Sequence, residues 1–163
     1  MLFRSHETVT GIAYSPDEAK ITLRRVGDKP GIAANIFGSL AKAAINVDMI
    51  VQNVSEDGNA TDITFTVNQT ESERTSEVLH NLRNEIGFSD LIADQNVTKI
   101  SVIGVGMRSQ PGVATTMFKT LGEKGINIEV ISTSEIKVSV LIRSEYTELA
   151  VRALHTAYGL DSS

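Results

Sequence analysis

Residues 20–26 (KITLRRV) alternate apolar and polar side chains through Ile21 and Leu23, and the same period of two returns at Val47, Met49 and Val51 and at Ile63, Phe65 and Val67. That period belongs to strands with one buried face. Between the first two stretches the period changes: Ile32, Ile36, Phe37, Leu40 and Ala44 recur at the spacing of one helix face. Pro30 sits at a suitable first helical position, where its missing N–H costs nothing. EDGN (Glu56–Asn59) reads as a hairpin-type turn between the second and third strands. A second helix is predicted over Ser72–Ile86, so the order is strand, helix, strand, strand, helix.

The chain then writes this sentence again. An offset of 81 lays Pro30 and Gly31 on Pro111 and Gly112, Ile32 on Val113, Ala33 on Ala114, Phe37 on Phe118, Leu40 on Leu121 and Asn46 on Asn127. NVDMIV (Asn46–Val51) thereby meets NIEVIS (Asn127–Ser132). Upstream the offset is 79, with KITLRRV over KISVIGV (Lys99–Val105), so the second loop is two residues longer. Downstream it is 75, with ITFTV (Ile63–Val67) over VSVLI (Val138–Ile142) and the second helix of copy two over Tyr146–Tyr158. Spacings that change only in loops indicate a duplicated domain, and two copies are too few for a solenoid.

Copy one continues into SDLIADQ (Ser89–Gln95), a candidate fourth strand. Copy two has no such continuation, but TVTGIAYS (Thr8–Ser15) is an unassigned strand at the N-terminus. The reading is α+β: two ferredoxin-like domains in βαββαβ order, each a four-stranded antiparallel sheet with two helices on one face. The expected limits are 16–96 and 97–160, with the N-terminal strand 7–15 completing the second domain. An edge strand of copy one, or simple disorder, is the alternative for it.

Composition narrows the function. With 41% hydrophobic residues, 5% aromatics and no Trp in 163 residues, a packed, mostly aliphatic core is feasible. A net charge of -5 argues against nucleic acid and gives no reason to expect an anionic membrane surface. No apolar run approaches a spanning length, and MLFRSHETVTG lacks the apolar centre of a signal peptide. The absence of cysteine removes thiolate chemistry and fits a cytoplasmic location. The three histidines are His6, His80 and His155, and the last two hold equivalent helical positions, as inherited surface residues would. No hydrolase, zincin or P-loop motif appears, and GVGMRS (Gly104–Ser109) has Ser where a dinucleotide fingerprint needs its third Gly. No catalytic residue, cofactor or metal is expected.

Each Pro-Gly loop lies between a first strand and a first helix, where free N–H groups and the positive dipole end suit a carboxylate. Gly31 and Gly112 permit close approach to the backbone. Small residues follow (Ala33, Ala34; Ala114, Thr115), and Asp28 can take an ammonium group. These groups together suit a free amino acid. An ordinary strand-to-helix turn with Asp28 as its cap remains the alternative.

DKPGIAANIF, NVDMIVQNVS, DGNATDITFTV and INIEVISTSEIKVSVLI resemble the tandem ACT domains of aspartate kinases, over about Glu7 to Leu160. The resemblance implies a regulatory region without the kinase domain, similar to a separately made beta subunit that assembles with a catalytic alpha subunit. ATP and magnesium would belong to the kinase domain. A C-terminal fragment of a full-length aspartate kinase, or an ACT module of another pathway, would read similarly. The family implies feedback inhibition by threonine, alone or with lysine. The first site would use Asp28, Pro30, Gly31, Ile32, Ala33, Ala34 and Gln52, with Asn127 and Ile128 from a second-copy domain. The second would use Met107, Ser109, Gly112, Val113, Ala114, Ser134 and Glu135, with Asn46 and Val47. Feedback sensitivity points to Ser55. An exposed sheet edge implies a homodimer. A stand-alone enzyme and an RNA-recognition module share the architecture, but repeated acid–base groups and strand aromatics are missing.

Overall fold

The computed structural model describes residues 9–27, 29–54, 58–105 and 111–160. Its elements are β1 (Val9–Gly27), α1 (Ile32–Lys42), β2 (Ile50–Val54), β3 (Ala60–Asn68), α2 (Ser72–Asn81), α3 (Arg83–Ile86), β4 (Asp90–Gly104), α4 (Pro111–Glu123), β5 (Val130–Thr133), β6 (Lys137–Arg143) and α5 (Thr147–Ala157). They form two compact units, Asp17–Gln95 and Met1–Pro16 with Asn96–Ser163.

In the first unit the strand order is β2–β3–β1–β4. β3 pairs antiparallel with β1 from Glu18↔Asn68 to Gly27↔Ala60, and with β2 from Ile50↔Phe65 to Val54↔Thr61. Ala19, Ile21 and Leu23 of β1 and Ile63, Phe65 and Val67 of β3 lie on one face, as a period of two requires. They pack with Ile36 and Leu40 of α1, Leu79 of α2 and Ile86 of α3. Ile21, Leu23, Ile63, Phe65 and Val67, with Ile36 and Leu40, are inward positions of the periodic pattern; Ala19 joins them in the structure.

In the second unit the order is β1–β4–β6–β5. β6 pairs antiparallel with β4 from Val97↔Arg143 to Ile103↔Lys137, and with β5 from Val130↔Leu141 to Thr133↔Val138. Thr10 Oγ1 of β1 donates to the Ile103 carbonyl at 3.2 Å. Ile100, Val102, Val138, Val140 and Ile142 form the sheet side of this core, against Val113, Met117 and Leu121 of α4 and Ala150, Leu154 and Tyr158 at α5. The α+β class and the doubled architecture stand as read.

Four readings change. The strands expected over Thr8–Ser15 and Lys20–Val26 are one strand, β1, and those over Ser89–Gln95 and Lys99–Val105 merge into β4. Pro30 precedes α1, because Gly31 in a left-handed conformation (φ 91°) is its N-cap, whereas Pro111 does open α4. The second helix of copy one breaks at Leu82 into α2 and α3. Finally, β2 begins only at Ile50. The Asp48 N–H donates to the Thr66 carbonyl, and the Met49 N–H to the Thr66 side chain at 3.1 Å, so the lead-in is anchored without being a regular strand.

The repeats also differ where α1 and α4 end. Ile45 N–H donates to Leu40 and Ala44 N–H to Ala41, both at 2.9 Å; Ile126 and Gly125 make the same two bonds at 2.9 and 3.0 Å. This is the Schellman pattern, which needs a left-handed residue. The second copy supplies Gly125 (φ 73°), but the first places Ala44 there (φ 60°). Ala44→Gly is expected to stabilise the first unit by ~1 kcal/mol, since only Gly adopts this conformation without steric cost. A urea midpoint that moves up, with an unchanged slope, is the check.

Candidate functional site

The first Pro-Gly loop is held by backbone bonds. Lys29 N–H donates to the Gly27 carbonyl (3.1 Å), Ile32 N–H to Lys29 (3.2 Å) and Asn35 N–H to Gly31 (3.0 Å). Among the described residues no side chain caps the helix at Gly31, and no acid stands in the first turn of α1. The N–H groups of Ala33 and Ala34 fall in that turn, where helix donors lack intrahelical partners. Pro30, Gly31, Ala33 and Ala34 are exposed and Ile32 is half-buried; a methyl group built on Gly31 meets nothing within 4 Å. The loop thus presents open backbone and a positive helix end.

The sheet register sets Gln52 relative to this loop. Gly27 lies opposite Ala60 and Val54 opposite Thr61, so β1 delivers the loop at the same end of the sheet where β2 carries Gln52, opposite Ile63. Two strand spacings, roughly 10 Å, separate β1 from β2. The Thr61 hydroxyl donates to the Asn53 carbonyl at 2.9 Å, which fixes the end of β2 beside exposed Gln52. Asp28 and Ser55 lie outside the described residues.

A feature that periodicity missed stands just before this loop. Between Leu23↔Ile63 and Val26↔Thr61, Arg24 and Arg25 oppose Asp62 alone, a β-bulge. Arg25 has φ 56°, and its N–H donates to the Asp62 carboxylate at 2.8 Å. The Arg24 carbonyl accepts from the Ser89 N–H and hydroxyl at 2.9 and 3.2 Å. In sequence, RRV and TDITF carry no sign of it beyond a short acid facing two arginines.

The second loop lies largely outside the described residues, Met107 and Ser109 among them. Of its other members, Gly112 is exposed and Ala114 half-buried, but the Val113 side chain belongs to the core, so only its backbone is available to a ligand. The Tyr158 hydroxyl donates to the Val113 carbonyl, and burial pushes the tyrosine well above its usual pKa against the opposing effect of the Met117 backbone. The Ser134 hydroxyl is occupied by its own turn, accepting from the Lys137 and Ile136 N–H groups at 3.2 and 3.4 Å. It closes the β5–β6 hairpin, a structural task the sequence did not reveal. Glu135 is exposed in that hairpin. Exposed Asn46 and half-buried Val47 lie in the α1–β2 connection, and exposed Asn127 and half-buried Ile128 in the matching α4–β5 connection.

Two broad surface clefts lie along helices, lined by described residues of neither loop. One runs along α2 by Glu73, Glu77 and His80, and another flanks α5 by Glu148, Arg152 and His155. Among the described residues no cluster of acids and histidines is placed to hold a metal. No helix among them is long and apolar enough to cross a membrane.

An ACT-domain family model matches the chain twice, at residues 24–82 and 100–158. The aspartate kinase of Pseudomonas putida is 54% identical over 154 residues, covering 94% of this chain but 37% of that protein. The chain therefore spans little more than a third of such curated relatives. Among solved structures, a chain from aspartokinase alpha and beta subunits is 50% identical, with a TM-score of 0.87 over 93% of this chain and 99% of the other. The ligand-free regulatory subunit of aspartate kinase from Thermus thermophilus is 41% identical with a TM-score of 0.88, over the same two shares. With both repeats matched and regulatory-subunit chains covered almost end to end, this chain belongs to the ACT-domain family, as the regulatory ACT region of the aspartate kinases.

Proposed function

We propose that this chain senses threonine, alone or together with lysine, and transmits feedback inhibition to an aspartate kinase catalytic domain. The observation that carries the reading is the first loop: a helix N-terminus behind Gly31, facing open space at the sheet end that bears Gln52. The helix end takes the carboxylate, and Asp28 takes the ammonium group. Gln52 and the small residues Ala33 and Ala34 select a short side chain, with Asn127 and Ile128 supplied by a second chain. The second site, built on Gly112, Val113 and Ala114 with Glu135, takes a different effector. The proposal assigns no catalysis to the chain itself, and it places the protein in the cytoplasm.

Regulation then works by linkage. An effector that binds one arrangement of the ACT domains more tightly shifts the kinase toward it, and substrates of the kinase alter effector affinity by the same factor. This holds whether the kinase domain is in the same chain or in a catalytic alpha subunit. A homodimer is proposed from the edge strands, where Ile50 and Val54 of β2 and Ile131 of β5 are exposed large apolar residues. The domain limits proposed are 16–96 and 97–160, with 7–15 completing the second domain; the Thr10–Ile103 bond supports that completion.

The test is a thermal melt of the chain with each of the twenty amino acids. At one hundred times Kd a ligand adds about 2.7 kcal/mol. Threonine is expected to raise the midpoint by roughly 5–10 °C, and glycine and leucine to leave it unchanged. Gln52→Ala should abolish the threonine shift with the ligand-free midpoint retained, because Gln52 is exposed. A wild-type chain indifferent to threonine and lysine, with and without the kinase partner, would overturn the proposal.

A further inference from the structure

We infer that Asp62 is a positioning residue for the first loop, holding open a bulge that aims β1 into the effector site. The inference rests on the proposed threonine site. The bulge adds one residue to β1 two positions before Gly27, and such an insertion bends the strand and changes where the following chain points. Arg25 pays for it with a left-handed conformation that a residue bearing Cβ seldom adopts (φ 56°). Its neighbours hold it there from both sides. Asp62 of β3 accepts the Arg25 N–H at 2.8 Å, and Ser89 donates its N–H and hydroxyl to the Arg24 carbonyl. Ser89 is itself gripped by Arg83, whose guanidinium donates to its carbonyl and lies 5.2 Å from the centre of the Phe88 ring.

The second repeat supplies the contrast. Leu23↔Ile63 corresponds to Val102↔Val138, and there the pairing continues regularly to Ile103↔Lys137. Asp62 is replaced by Lys137 and Arg25 by Gly104, whose N–H donates to the Ile136 carbonyl at 2.8 Å. The repeat with the latch has the shorter loop, and the one without it has two extra residues. Asp62 also stands in register with Asn53 of β2, so one position on β3 lies between the loop-bearing strand, which its side chain holds, and the strand that carries Gln52. Strain of this kind persists only where the surroundings over-determine it, and it gathers at ligand sites.

The inference predicts a specific rescue. Asp62→Ala removes the acceptor and should weaken threonine binding to the 163-residue chain at least tenfold by calorimetry. Asp62→Asn keeps an acceptor oxygen and should stay within threefold of wild type. Arg25→Gly needs no latch and should bind as wild type, and Asp62→Ala with Arg25→Gly should recover to within threefold. A merely structural role would lower stability without this recovery of binding. Wild-type affinity in a folded Asp62→Ala chain, or a double variant as weak as Asp62→Ala, overturns the inference. Should wild-type protein bind no threonine, the proposed site fails, and amide exchange then decides the latch alone. Faster exchange at Arg25, Lys29 and Ile32 in Asp62→Ala, with Lys29 and Ile32 recovering in the double variant, supports it; unchanged exchange overturns it.

Discussion

Phe65→Ala is expected to destabilise the first unit by ~3–5 kcal/mol, the usual cost of truncating a buried aromatic. Phe65 is fully buried at the centre of β3, between Ile21 of β1 and Ile50 of β2. Its ring meets that of Phe37 edge to face, with centroids 5.4 Å apart and planes at 79°. Such a pair adds about 0.5–1.5 kcal/mol beyond area burial. Strands on both sides and helices on one face leave the cavity little room to collapse. Among the described residues the two cores share none, so the loss should appear first in Asp17–Gln95. Amide exchange should accelerate across that unit while β4–β6 pairing from Val97 to Ile103 keeps its protection. Uniform acceleration over the whole chain would show that the units melt as one.

Tyr158 should be equally costly in the second core, and it adds a pH dependence. It is fully buried, and its hydroxyl donates to the Val113 carbonyl in the first turn of α4. Tyr158→Ala is expected to cost ~3–5 kcal/mol. Tyr158→Phe removes only the hydroxyl; the Val113 carbonyl keeps its helical partner, so the loss should be ~1 kcal/mol. Burial raises the pKa of the folded tyrosine well above the unfolded value near 10. Below pH 10 both states hold the proton, and the full stability is present. Above it the unfolded chain releases the proton while the folded chain keeps it, so stability falls with rising pH, by up to about 1.4 kcal/mol per unit from this group. Urea unfolding between pH 9 and 11.5 should show a fall in wild type that is shallower in Tyr158→Phe. Parallel curves would remove Tyr158 as the source.

Much of the candidate site was legible because it is written in backbone-permissive residues. Gly31 and Gly112 mark their loops through composition, and the shared offset shows that both loops hold one place in the fold. The roles of Ser134 and Val113 were not legible. A serine beside a loop looks the same whether its hydroxyl faces a ligand or closes a hairpin, and the aliphatic after Pro-Gly can face the core or the surface. Asp62 gave no signal either, because a bulge shows only in register. Tyr158 aligns with Arg83 across the repeats, so duplication could not point to it.

The sequence by itself determined the duplication, the α+β class and which faces of the strands and helices turn inward. Each depends on a local period, and a one-residue error would put every apolar side chain of a strand in water. Only the tertiary structure decided where strands run on and what they pair with. Proline lacks an N–H and is poorly tolerated within a sheet. In the folded chain β1 passes through Pro16 at the boundary between the two units. The bulge at Arg24–Arg25 arises in the same way: Asp62 and Ser89, remote in sequence, provide the hydrogen bonds that make an unfavourable backbone conformation the stable one.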